Sequence, residues 1–173
     1  MTSRERSVGF EISRQQSKAI AGADSSAPRR TQVVVAVGDG MDLAVLSERA
    51  RAVGHAYEIL RTTFVRPVGA GRSLQVVHPD LPVVVDPRVD VASSAAFDDA
   101  CRVAWSSPLD TDSGPTVRVT PICRQEDANY LVLTAATAVA DDETLRMVVG
   151  MLLDTVSIDP DPLQYADYAA WQH

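Results

Sequence analysis

The sequence predicts an α/β (α+β) fold in which a mixed sheet packs with helices. Three observations carry that expectation. Residues 31–37 (TQVVVAV) are rich in β-branched side chains and read as a buried strand. Leu43, Leu46, Ala50, Val53, Tyr57 and Leu60 recur at steps of three and four, which places them on one face of a helix. Strand-like and helix-like stretches then alternate along the chain, with hairpin turns between several of the strands.

Taken in order, residues 1–12 are mostly polar and include Arg4, Glu5 and Arg6, and residues 13–21 suit a short helix. Residues 22–30 are rich in Ala and Ser, contain Pro28, and read as a loop. Residues 1–30 are therefore expected to form a partly flexible N-terminal segment, and residues 31–173 the folded unit. Asp42 stands where the long helix needs an N-cap. Residues 63–67 and 73–78 form a hairpin pattern with Gly69, Ala70 and Gly71 in the turn. Residues 81–85 continue as an extended run. Residues 95–105 suit a helix capped by Ser94, with Phe97, Cys101 and Ala104 on one side. Ser113, Gly114 and Pro115 break the chain. Residues 116–123 and 130–134 then suit two strands joined by a polar turn. Leu145, Val148, Leu152 and Val156 mark a second amphipathic helix, with Asp141, Asp142 and Glu143 at its dipole-favoured start. Pro160 and Pro162 interrupt the chain before a short helix over 165–171.

The composition narrows the function classes. With 173 residues, 46% of them hydrophobic, the chain can bury a core. A net charge of −7 and a pI near 4.8 argue against a nucleic-acid partner, which needs clustered Lys and Arg. The positive charge is nearly all arginine, and Lys18 is the sole lysine. Cys101 and Cys123 form no CxxC pair, so neither a zinc site nor a disulfide framework is expected. They read as two small buried hydrophobes, with a single bridge between them as the alternative. No apolar run resembles a signal peptide or reaches the length of a membrane span, and the expected compartment is the cytoplasm. His55, His78 and His173 are scattered outside any recognisable triad, and Ser106 and Ser107 lack a nucleophile-elbow context. No metal or cofactor is expected.

Four segments carry chemistry by resemblance. Residues 58–64 (EILRTTF) are similar to an RHExLRTxF motif, with Ala56 and Tyr57 in place of its Arg-His pair. Residues 164–171 (QYADYAAW) closely match QYxDYAxW. Ser13 and Gln16 match two positions of SxAQxRLW. Residues 130–142 (YLVLTAATAVADD) align with the strand and loop that carry HHxxxDG. Ala136 and Thr137 stand at the two histidines, Asp141 keeps the aspartate, and Asp142 replaces the glycine. Residues 107–115 are similar to a PFDL…GPL stretch. Taken in their order along the chain, the segments resemble the N-terminal lobe of a nonribosomal peptide synthetase condensation domain, over nearly all of residues 31–173.

That resemblance implies a single chloramphenicol acetyltransferase-like lobe. The family joins an acyl thioester on one carrier protein to an amine on another. Its second histidine serves as general base or orients the amine. Thr137 cannot accept that proton, and a carboxylate such as Asp141 is a weak base near neutral pH. The expectation is therefore no catalytic residue and no enzyme activity by the chain itself. In the family the QYxDYAxW segment lies where the first lobe ends, and this chain stops two residues after Trp171. A truncated, non-catalytic domain acting as a structural or protein–protein interaction module fits best. The alternatives are half of a split condensation or acyltransferase enzyme that needs a second lobe, and a carrier-protein-binding module. Implied partners are neighbouring synthetase domains (adenylation or carrier protein) or a tailoring enzyme of the same pathway.

The motif residues have structural expectations as well. Asp141 would cap the second helix. Arg61 would either form a local ion pair or brace the loop around Asp141. Tyr165, Tyr168 and Trp171 would anchor the last helix, with Asp167 completing its motif. Residues 136–140 (ATAVA) would leave an uncovered apolar face suited to homodimerisation or docking.

Overall fold

The computed structural model describes residues 9–38, 41–69, 71–124 and 128–172. Arg4, Glu5, Arg6, the turn residue Ala70, part of the polar turn after Arg124, and His173 lie outside the described residues.

The apolar run after the N-terminal loop forms β2 (Arg30–Val37). It pairs antiparallel with β8 (Ala128–Ala136), which pairs antiparallel with β7 (Val117–Arg124). β5 (Val84–Val85) and β6 (Val89–Val91) both lie parallel to β7, so the sheet is mixed, as expected. β2 is only half buried, with Val33 and Val37 covered and Val34 exposed, because it is the edge strand of the order β2-β8-β7-β5. β6 carried no readable sequence pattern, since it is three residues long and mostly exposed.

Strand side chains alternate between two cores. Val33, Val117, Val119, Leu131, Leu133 and Ala135 face α2 (Leu43–Ala56) and α4 (Asp142–Leu152), whose Leu46, Ala50, Val53, Leu145, Val148 and Leu152 complete that cluster. Ile122 and Val132 face the other way, toward α3 (Ser94–Ser106), where Ala104, Phe97 and Cys101 meet them. Both cysteines are free.

Three helix boundaries differ from expectation. α2 ends at Ala56, and Leu60 enters the core from a 3₁₀ turn, Glu58–Arg61, so its periodicity outlasts the helix. The cap of α3 is Ser93, one residue before Ser94, because the Ser93 hydroxyl reaches the Ala96 amide at 3.1 Å. α4 ends at Leu152, and Val156 is an exposed residue beyond it.

A second, smaller sheet holds the hairpin of β3 (Thr62–Val65) and β4 (Leu74–Val77), with β1 (Gly9–Glu11) antiparallel to β4. α1 (Arg14–Ile20) follows, closed by a capping box between Ser13 and Gln16. α5 (Tyr165–Ala170) closes the chain and packs near β1 and the 3₁₀ turn. Among the described residues no helix is long and apolar enough to cross a membrane.

Candidate functional site

β8 delivers the altered motif. Its last residue, Ala136, donates its amide to Thr116 O at 2.9 Å. Thr137 donates its amide to Arg29 O at 2.8 Å, after which the chain turns back, with Val139 N–H on Ala136 O at 2.8 Å. Asp141 then caps α4 by accepting from the Thr144 amide at 2.9 Å.

The expected uncovered apolar face over 136–140 does not exist. Ala136, Ala138, Val139 and Ala140 are 0–7% exposed and belong to the main core, together with Leu145 and Val148. The tight turn folds these small side chains inward. Only Thr137 faces solvent, its hydroxyl 3.1 Å from that of Thr31. A hydroxyl held by another hydroxyl has no partner able to take its proton.

Hydrogen bonds from Thr144, side chain first and then backbone, hold the Asp141 carboxyl below the usual carboxylate range. A lowered folded pKa adds stability above the ordinary carboxylate value and loses it as pH falls through the folded value. Asp141→Ala is therefore expected to cost about 0.5–2 kcal/mol at neutral pH. The gap between parent and variant should close below about pH 4. Urea midpoints measured from pH 7 to pH 3 check this, and a gap constant over that range would contradict the cap.

The other motif segments brace one another. Arg61 forms a local ion pair with Glu58 at 3.3 Å and donates to His78 O at 2.8 Å. Its Nε is buried without a partner, and it makes no bond to Asp141, so the brace imagined between them is absent. Thr62 and Thr63 are buried and bond Glu58 O and the His78 ring, both at 2.7 Å. Gln164 spans the junction of α2 and the 3₁₀ turn, accepting from Glu58 N–H and donating to Ala56 O, each at 3.0 Å. The Tyr165 hydroxyl lies 2.8 Å from Ser13 Oγ, which ties α5 to the cap of α1. Asp167 sits exposed in the first turn of α5. The anchoring expected of Tyr168 and Trp171 fails, since they are 39% and 74% exposed, and Ala166 and Ala169 make the buried contact instead. A helix of six residues has one narrow inner face, and the small residues occupy it.

A half-open cleft of about 970 Å³ adjoins the motif loop. α1, the end of β3, the 110–115 turn and Ala138 wall it. Sequence reasoning missed it, because its lining residues come from five separate stretches of chain. Among the described residues no group of three His, Cys, Asp or Glu side chains could hold a metal ion.

No family model matches the chain. It is 28% identical over 151 residues to a linear gramicidin synthase polypeptide of Brevibacillus parabrevis, covering 76% of this chain and 2% of that much longer one. The condensation domain of the monacolin K polyketide synthase MokA superposes with a TM-score of 0.76 at 23% identity, over 95% of this chain and 38% of that one. The fold is that of one condensation-domain lobe. This lobe also matches the X-domain in its complex with OxyB from teicoplanin biosynthesis, with a TM-score of 0.74 at 22% identity, over 99% of this chain and 39% of that one. The chain thus spans well under half of the solved chains and a small part of the gramicidin synthase polypeptide. The sequence relatives are peptide synthetases, and the chloramphenicol acetyltransferase-like lobe expected from the motifs is the architecture found.

Proposed function

We propose that this condensation-like lobe is non-catalytic and serves a nonribosomal peptide synthetase as a structural or protein–protein interaction module. The carrying observation is the occupant of the second histidine position. Thr137 offers a hydroxyl shared with Thr31, and the Asp141 carboxyl is spent on capping α4. An unactivated hydroxyl is no base, and a carboxylate held below its usual range is only a weak one near neutral pH. The motif segments act here as struts, with Gln164 and Tyr165 joining α5 to the 3₁₀ turn and to α1. A domain of the same fold, the X-domain, has been seen in complex with a second protein, OxyB, which supports a partner-holding role. The partners of this reading are neighbouring synthetase domains or a tailoring enzyme.

The test is a condensation assay with acyl and aminoacyl groups on carrier proteins, followed by mass spectrometry. The expected result is no peptide above the uncatalysed rate. Peptide formed by the 173-residue chain itself would overturn the reading. Peptide formed only after adding a separately expressed second lobe would replace it with the split-enzyme alternative.

A further inference from the structure

The cleft beside the motif loop is basic in an acidic protein. It gathers five of the chain's 16 basic residues and only two of its 23 acidic ones. Arg72 is occupied by Glu11 at 2.5 Å. Arg14, Lys18, Arg29 and Arg66 are exposed and form no ion pair with any described residue. Arg14 and Lys18 lie one helical turn apart on α1, so they share a face. The Arg29 side chain reaches Lys18 O at 3.4 Å, which sets it beside them. Arg66 stands just past β3, on the hairpin that also lines the cleft.

Unpaired like charges that line a concavity reinforce one another, because the low-dielectric walls focus their field. Screening over about 8 Å at physiological salt limits repulsion from the acids elsewhere on the surface. We infer that this cleft docks an acidic peptide segment of a partner protein. A compact phosphate is the poorer fit, since it calls for buried, convergent donors and all four free cations are exposed. A chain of carboxylates can meet dispersed rim charges, while the half-buried Ile12, Ala19 and Ile20 offer apolar contact along the cleft. The inference rests on the interaction-module reading and names the chemistry of its partner.

The experiment uses the full chain and fluorescein-labelled octaglutamate, followed by fluorescence anisotropy. Binding is expected at low salt and should weaken steeply as salt rises. The double variant Arg14→Glu, Arg66→Glu should lose roughly tenfold or more in affinity. Arg102→Glu with Arg146→Glu changes the net charge equally, away from the cleft, and should leave affinity near the parent value. Circular dichroism and urea midpoints establish that both doubles are folded. No binding, equal losses in the two doubles, or displacement of the peptide by an equimolar amount of pyrophosphate would each overturn the inference. Those outcomes leave the non-catalytic reading intact, because that reading stands or falls on the condensation assay alone.

Discussion

Gln75→Ala is expected to lower stability by about 2–4 kcal/mol, although Gln75 belongs to no motif segment. Gln75 lies on β4 and is 1% exposed. Its Oε1 accepts from Gln16 Nε2 at 3.2 Å, and its Nε2 donates to Glu11 O at 2.7 Å. Gln16 is equally buried, and its own Oε1 accepts the Ser13 amide at 2.8 Å in the capping box. Truncating Gln75 strands the Gln16 amide nitrogen in a buried site and opens a cavity beside it. An unmade buried hydrogen bond costs about 1–3 kcal/mol, and the cavity adds to that. Urea unfolding should show the lower midpoint with an unchanged slope. The pair Gln16→Leu, Gln75→Leu separates the mechanism from generic damage. Removing both polar partners leaves only the capping box and the Glu11 contact to lose, so the double variant should be less destabilised than the sum of the two single changes. An additive double, or a Gln75→Ala loss below about 0.5 kcal/mol, would show that the network is not what joins α1 to the sheet.

That network marks the limit of what the sequence disclosed. Regular elements with a strong period were readable. The β-branched run became β2, and the two leucine-rich periodicities became α2 and α4. What failed depends on tertiary context. Leu60 continues the α2 period but enters the core from a 3₁₀ turn, because periodicity records a face and not a hydrogen-bond ladder. Ser93 and Ser94 are chemically equal cap candidates, and only backbone geometry selects the first. Trp171 reads as an anchor because it is large and apolar, yet α5 buries Ala166 and Ala169 against its neighbours. The run 136–140 reads as a surface patch only if the turn is open, and hydrogen bonds to Ala136 O close it. The motif positions were legible by resemblance, but their mutual bracing through Gln164, Tyr165 and Ser13 was not, since those bonds join residues more than a hundred positions apart. The basic cleft is invisible in sequence for the same reason. Its cations are scattered over positions 14 to 72 in a chain whose net charge points the other way.

Gly114→Ala should be the second severe change, again by about 2–4 kcal/mol. Gly114 has φ +78°, in the left-handed region where an added Cβ costs about 1–2 kcal/mol. Its Cβ would also lie 2.5 Å from Leu81 Cδ1, closer than carbon atoms approach, and a tight 3.1 Å from Cδ2. Leu81 is half-buried and its Cδ atoms end a flexible side chain, so its rotation relieves part of the clash and the rest falls on the turn. The turn is poorly placed to shift, because both its ends are tied. Gly114 N–H donates to Asp110 O at 2.9 Å, and Asp110 N–H donates to Pro115 O at 3.1 Å. The Asp110 carboxylate accepts from the amides of Asp112 and Ser113. Inside the turn, Thr111 O receives the Phe64 amide at 2.6 Å, and Thr111 N–H reaches Ser25 O at 2.9 Å. A displaced turn would therefore pull on β3 and on the loop before β2, which are two walls of the cleft. The clash and the backbone strain can be separated. In a Leu81→Ala background the steric part disappears, so Gly114→Ala should cost about 1–2 kcal/mol there and more in the parent. Equal costs in the two backgrounds would remove Leu81 from the explanation. A parent cost under about 0.5 kcal/mol would show that the turn adapts freely, and that it does not hold β3 in place.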